Sequence, residues 1–208
     1  MHDILTVGSS VYNKTTLLHL VPDQVQGLVD ISDNRVAFIK QGTGSITAAD
    51  DLSEGLCCSF EGSCRLYSSE VAKVDTGGKD FSFEIKYLPS LITGARHVFA
   101  VSGGNENGWS YSCSRSDGGG RAAFWYKTPL TNTFHRSPVE KIADWTTTRI
   151  EYKSGVSTYM DILSGISSQI SIPGTVPRGV GLSVGSHIDG AGVQQFTGLI
   201  KYIKVELI

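Results

Sequence analysis

The segment Phe81-Ser82-Phe83-Glu84-Ile85-Lys86-Tyr87 alternates large apolar side chains with polar ones. Side chains of a β-strand point to opposite faces in turn, so this alternation predicts a strand with one buried face. The same period of two recurs along the chain, without long helical patterns between the runs. The further runs begin at Trp109, Thr148, Val156, Ile170, Val180 and Leu199.

Turn-forming pairs such as Gly77-Gly78, Ser154-Gly155 and Pro173-Gly174 separate these runs. Closely spaced strands without long helices between them indicate antiparallel sheets packed face to face. A serine N-cap at 137, followed by Pro138 and Glu140, predicts at most one short helix near residues 138–143. We therefore predict an all-β protein with a single antiparallel β-sandwich over residues 17–208 and an N-terminal arm over residues 1–16.

The charge is close to neutral, with 18 basic and 20 acidic residues and a formal net charge of −2. Nucleic acids and anionic membranes attract basic proteins, so neither is predicted as a partner. No stretch approaches the roughly 20 apolar residues of a membrane span. The segment Met1–Gly8 has no basic region before an apolar run, which predicts synthesis in the cytoplasm without a signal peptide.

The four cysteines, Cys57, Cys58, Cys64 and Cys113, lack the paired spacing of a zinc site. Four reduced and mostly buried thiols are the favoured interpretation. A disulfide between Cys58 and Cys64, across a turn at Glu61-Gly62, is the alternative.

Five short segments, in their order along the chain, resemble the laminin-G-like, concanavalin A-like jelly-roll family. They span nearly the whole chain and are Leu17-Leu18-His19-Leu20, Phe60-Glu61-Gly62-Ser63, Asp80-Phe81-Ser82-Phe83-Glu84-Ile85, the tryptophan-led segment from Asp144 to Tyr152, and Leu182-Ser183-Val184-Gly185 with Phe196-Thr197-Gly198-Leu199-Ile200. One departure is that the turn expected soon after Tyr159 falls later, at Ser164-Gly165. The resemblance implies a jelly-roll sandwich of the kind found in tailed-phage virion proteins, and hence a place in the virion.

Catalytic motifs are poorly represented. Gly181-Leu182-Ser183-Val184-Gly185 fits the serine-hydrolase pattern, but its alternation predicts an ordinary strand serine. The carboxylate run of related glucanases is missing, so a polysaccharide hydrolase is the least favoured hypothesis and no enzyme activity is expected. No cofactor is predicted, although Asn105, Asp117 and Asp189 are weak candidates for calcium ligands in loops.

Binding is the more promising function because the segment Ala123-Phe124-Trp125-Tyr126 carries aromatic side chains on both faces of a strand. One face must then meet something other than the core of this domain, whereas Trp109 and Trp145 are assigned to the core. The predicted contact residues are Phe124, Trp125, Tyr126, Leu130, Phe134 and His135.

The family resemblance, taken with this aromatic pattern, implies two alternative functions. The first is a non-enzymatic structural, decoration or adhesion protein of a phage-like particle, a homo-oligomer that contacts capsid or tail proteins. The alternative is a module of a phage tail that binds host surface polysaccharide. Its predicted ligand-binding residues are Trp125, Tyr126, His187, Asn105 and Asp189.

Overall fold

The computed structural model describes residues 15–90, 96–102, 108–114, 121–128, 130–140, 144–176, 179–187 and 194–208. In these ranges the chain forms sixteen strands and one four-residue 3₁₀ helix, Val71–Val74, between β6 and β7. The strands are β1 (Thr15–Asp23), β2 (Gly27–Asp30), β3 (Ile39–Gly42), β4 (Ser45–Asp51), β5 (Gly55–Glu61), β6 (Cys64–Ser68), β7 (Phe81–Pro89), β8 (Arg96–Ser102), β9 (Gly108–Ser114), β10 (Ala123–Lys127), β11 (Asn132–Arg136), β12 (Thr146–Lys153), β13 (Val156–Asp161), β14 (Ser167–Ser171), β15 (Leu182–Val184) and β16 (Gly198–Leu207).

Two antiparallel sheets make up the fold, which confirms the predicted all-β sandwich. The seven-stranded sheet has the order β11-β10-β9-β8-β15-β6-β3. The nine-stranded sheet has the order β14-β13-β12-β7-β16-β1-β2, with β5 also paired to β16 and β4 paired to β5. Strand β1 begins at Thr15, within the predicted arm of residues 1–16, and the rest of that arm lies outside the described residues.

Strand β16 occupies the centre of the nine-stranded sheet. One of its edges pairs with β7 from Gly198 to Leu207. The other edge pairs first with β5, through Gly198–Ile200, and then with β1, whose Thr15 lies opposite Leu207. Strand β16, the longest among the described strands, therefore connects β1 from the start of the described chain with β5 and β7.

The core between the sheets is aromatic. The ring centroid of Phe83 in β7 lies 5.5–5.6 Å from those of four rings in the opposite sheet. Those rings belong to Phe99, Trp109, Tyr111 and Phe124. Phe81, Phe83, Ile85 and Tyr87 are all buried, as the alternation in the sequence predicts.

Strand β9 is buried on both faces, although its sequence alternates small polar residues with large apolar ones. Ser110 and Ser112 alternate with the inward-facing Trp109 and Tyr111, yet each is only 1% exposed. Both serines lie in an interior strand, where β10 and β8 flank their small side chains on either side. Among the described residues, neither hydroxyl has a hydrogen-bond partner.

The helix predicted near residues 138–143 is not present at residues 138–140, and residues 141–143 lie outside the described part. The backbone N–H of Ser137 donates to the carbonyl of Ala122 at 2.8 Å, which extends the pairing of β10 with β11. The Ser137 hydroxyl then accepts the N–H of Val139 at 3.2 Å. The predicted N-cap side chain is thus used in a single bend rather than in a helix.

All four cysteines are free and buried. Burial, the largest cause, raises the pKa of the Cys58 thiol to about 12. The favoured interpretation of reduced thiols therefore describes this structure, whereas the alternative disulfide between Cys58 and Cys64 does not.

Within the described ranges, no helix has the length and apolar character needed to cross a membrane.

A buried histidine connects the two sheets at one side of the sandwich. His135 in β11 lies 2.7 Å from the Ser157 hydroxyl through Nδ1 and 2.9 Å from the Ser168 hydroxyl through Nε2. The serines belong to β13 and β14 of the opposite sheet. Burial lowers the pKa of His135 from 6.5 to about 4, so the imidazole is neutral in the folded protein near pH 7.

We expect Phe83→Ala to lower the free energy of unfolding by about 3–5 kcal/mol, because it opens a cavity among four rings. Denaturant unfolding of the purified protein measures this change. Val25→Ala is the control, because Val25 is 91% exposed and its loss should cost less than about 0.5 kcal/mol. Equal effects of the two substitutions would contradict the assignment of Phe83 to the centre of the core.

The pKa of His135 predicts a pH-dependent stability. A histidine whose pKa is lower in the folded than in the unfolded chain stabilises the fold fully above pH 6.5, and this contribution is lost as the pH falls towards 4. We therefore measure the free energy of unfolding between pH 7 and pH 4. It should fall more steeply with decreasing pH in the wild type than in His135→Gln, and the difference in slope should correspond to the uptake of up to about one proton on unfolding. Parallel pH profiles for the two proteins would rule out this role of His135.

Candidate functional site

A cleft of about 320 Å³ opens between the two sheets, where the connection after β11 meets the turn after β13. Its volume lies in the range of small-molecule sites, and its lining is mainly apolar with several hydroxyl and carboxylate groups. We call it the Trp145 cleft. The described residues that line it are Tyr87, Ala122, Ser137, Val139, Glu140, Trp145, Thr146, Tyr159, Asp161, Leu163 and Ser164.

A cluster of buried hydroxyl groups stands behind two of the cleft residues. The Tyr111 hydroxyl lies 2.9 Å from that of Tyr87, 3.1 Å from that of Tyr159 and 3.2 Å from Thr148 Oγ1. Burial raises the pKa of all three tyrosines, so their hydroxyl groups stay protonated and neutral. Hydrogen bonds across the interface thus fix the positions of Tyr87 and Tyr159, which line the cleft.

Trp145 directly precedes β12 and is half-buried, which corrects its assignment to the core. Its backbone N–H donates to Oδ1 of the preceding residue, Asp144, at 2.7 Å. The Lys86 ammonium lies 6.0 Å from the centroid of its ring, within reach of a cation–π contact. The same ammonium is 2.5 Å from Glu54 Oε1, so Lys86 is already paired.

Asp161 ends β13 and brings a buried carboxylate to the cleft, at 7% exposure. Its Oδ1 accepts the backbone N–H and the hydroxyl of Ser164, both at 2.8 Å. These two bonds hold the turn that follows β13. They also leave Oδ2 as the carboxylate oxygen that can accept a hydrogen bond from a ligand.

The predicted contact surface is divided between the two faces of the seven-stranded sheet. Phe124 and Tyr126 are 0% exposed and His135 is 2% exposed, so their interpretation as surface contact residues is wrong. Their side chains alternate with that of Trp125 and pack into the core. Trp125 and Phe134 stand directly opposite each other and are half-buried, while Leu130 is 76% exposed.

The residues predicted for glycan binding do not converge either. Tyr126 points away from the face that carries Trp125, and the strands β9 and β8 separate β10 from β15, the strand that leads to His187. The ring of His187 instead packs edge-on against that of His97, with centroids 4.7 Å apart. The remaining glycan and calcium candidates, Asn105, Asp117 and Asp189, lie outside the described residues.

The remaining predictions concern the serine-hydrolase motif, the core position of Trp109 and metal binding. Ser183 of the hydrolase-like motif is 0% exposed in β15, and its hydroxyl donates to the carbonyl of Ser186 at 2.9 Å. Trp109 is also 0% exposed, which confirms its assignment to the core. In the part of the chain that the structure describes, no three His, Cys, Asp or Glu residues are placed to hold a metal ion.

Sequence reasoning missed the cleft, although one pattern pointed to it. The turn at Ser164-Gly165 was the departure from the family pattern, and Leu163 and Ser164 of this turn line the cleft. The rest of the lining comes from segments far apart in the sequence. Pairing of β12 with both β7 and β13 brings Tyr87, Thr146 and Tyr159 together.

Comparison with known proteins adds information about the fold. No known protein family and no curated protein matches the sequence. Domain 4 of AbnA, an arabinanase of Geobacillus stearothermophilus solved in complex with arabinotriose, is similar in structure with a TM-score of 0.67. The two chains are 14% identical, and the match covers 93% of each.

Botulinum neurotoxins provide further similar structures. Neurotoxin type C, whose cell entry is described as dependent on two ganglioside molecules, has a TM-score of 0.68 at 10% identity over 92% of this chain. The binding domain of neurotoxin DC, in complex with SialylT, has a TM-score of 0.64 at 11% identity over 92% of this chain. The chain spans about half of these toxin chains, 47% of each. At such low identities, the comparisons establish a jelly-roll-like β-sandwich fold.

Proposed function

We propose that this protein is a carbohydrate-binding module that holds a sugar ring in the Trp145 cleft. A sugar ring has apolar C–H faces and a rim of hydroxyl groups. A site for it therefore needs an aromatic surface beside hydrogen-bonding groups that fix its orientation. The Trp145 cleft offers both.

The observation that carries this proposal is the meeting of Trp145, Asp161 and Ser137 around one apolar cavity. The half-buried indole of Trp145 presents an apolar surface for a ring face. Asp161 contributes a carboxylate that accepts sugar hydroxyls, and charged acceptors form the stronger hydrogen bonds. Ser137 adds a hydroxyl group, and the Thr146 hydroxyl, which donates to the carbonyl of Asp144 at 3.2 Å, keeps lone pairs that can accept a hydrogen bond.

The similar structures give independent support at the level of the fold. The arabinanase domain was solved with arabinotriose, and the neurotoxin type C structure concerns ganglioside interaction. A shared fold is an analogy for function, so the site itself has to carry the argument. The rigid tyrosine cluster behind the cleft adds to it, because a pre-formed site loses less entropy when a ligand binds.

We expect Trp145→Ala to weaken the binding of any recognised glycan by at least about tenfold, because the aromatic surface for the sugar ring is lost. The ligand would first be identified on an array that includes arabino-oligosaccharides, other neutral oligosaccharides and ganglioside headgroups. Calorimetric titration of the recognised glycan into wild type and variant then measures the dissociation constants.

Trp125→Ala is the matched control, because Trp125 is a half-buried tryptophan on the outward face of β10 and not part of the cleft. Its loss should leave the affinity within about twofold of the wild type. If only the Trp125 variant lost binding, the site would be on the outer face of the seven-stranded sheet. If no glycan were bound by the wild type, the proposed function would be wrong.

A second candidate function is a structural or adhesive component of a phage-like particle, and the exposed side chain of Leu130 favours it. A large apolar side chain at 76% exposure suits a contact with a neighbouring subunit. If the chain forms a homo-oligomer through this surface, Leu130→Asp should lower the mass measured by light scattering to that of a monomer. A monomeric wild type would contradict this candidate.

A further inference from the structure

We infer that the Trp145 cleft accepts uncharged sugars and rejects sugars that carry a carboxylate, an inference that rests on the proposed function. It predicts that sialylated and uronic-acid glycans are not the ligands of this site. Neutral oligosaccharides are then the class of ligand that this cleft binds.

The charge inside the cleft is that of Asp161. This carboxylate is buried at 7% exposure, and its two hydrogen bonds come from the neutral groups of Ser164. Hydrogen bonds from neutral donors do not cancel a negative charge. Among the described residues that line the cleft there is no lysine, arginine or histidine to balance it.

The other charged groups close to the cleft either add to its negative charge or already form ion pairs. Glu140 adds a second carboxylate to the lining, and its Oε1 lies 3.8 Å from Nη2 of the half-buried Arg121. Lys86, beside the Trp145 ring, is paired with Glu54. Lys86 and Arg121, which lie near the cleft, thus already have acidic partners, whereas Asp161 has no ion pair among the described residues.

A carboxylate on a ligand would meet the charge of Asp161 in a partly desolvated space. Like charges repel more strongly there than in water, because the surroundings screen them less. Juxtaposed like charges are also a common means by which proteins exclude a wrong ligand. A sugar hydroxyl at the same place would instead donate a hydrogen bond to Asp161.

A matched pair of ligands tests the inference. The neutral oligosaccharide identified for the wild type is compared with the same oligosaccharide after its terminal CH₂OH group is oxidised to a carboxylate. If the recognised sugar is a pentofuranose, oxidation at its exocyclic carbon gives the corresponding acid. We expect the wild type to bind the acid at least about tenfold more weakly.

Asp161→Asn removes the charge and keeps Oδ1 as an acceptor for Ser164, so this variant should reduce the ratio of the two affinities to within about threefold. Asp33→Asn is the control, because Asp33 is an exposed aspartate outside the cleft lining, and the same change of charge there should leave the ratio close to that of the wild type. Added salt should also reduce the ratio in the wild type, since salt screens the repulsion.

The possible outcomes separate this inference from the proposed function. Equal binding of both sugars by the wild type, lost in Trp145→Ala, would overturn the charge selection and leave the proposed function intact. An affinity ratio unchanged in Asp161→Asn, in a variant that unfolds like the wild type, would overturn the role of Asp161. If the array yielded no bound glycan for the wild type, the proposed function itself would be overturned.

Discussion

The contact between the two sheets is an aromatic one, and the rest of the structure depends on it. Phe83 projects from β7 into the rings of Phe99, Trp109, Tyr111 and Phe124 of the opposite sheet. Large rings bury much apolar area and pack in few arrangements, so they set both the spacing and the alignment of the sheets. The positions of the surrounding strands follow from this alignment.

The polar part of the interior follows from the same contact. Tyr111 packs against Phe83 through its ring, while its hydroxyl reaches those of Tyr87 and Tyr159 in the opposite sheet. Buried hydroxyl groups are costly unless they are hydrogen-bonded, so the cluster fixes the side chains that contribute to it. Tyr87 and Tyr159 also line the Trp145 cleft, so the hydrogen bonds of this cluster fix part of the cleft wall.

Much of the fold could be predicted from the sequence, because alternation within a single strand is a local property. The inward row of β7 is an example. Which face of β10 is buried was harder to predict, since Phe124 and Tyr126 on one face and Trp125 on the other are all aromatic. Which face is buried depends on the pairing of Phe124 with Tyr111, a residue of another strand. The cleft was beyond prediction, because Tyr87, Trp145 and Asp161 meet only after β7, β12 and β13 pair.

The central position of β16 has a consequence for the biosynthesis of the protein. A ribosome delivers the strands in chain order, and β1, β5 and β7 all pair with the last of the sixteen. Until residues 198–207 have been translated, the facing edges of these three strands have no partner within the domain. Unpaired strand edges invite association with other chains. Until β16 has been made, the nascent domain thus exposes these edges in a state that chaperones can protect, and the sandwich completes its folding only after residues 198–207 have been translated.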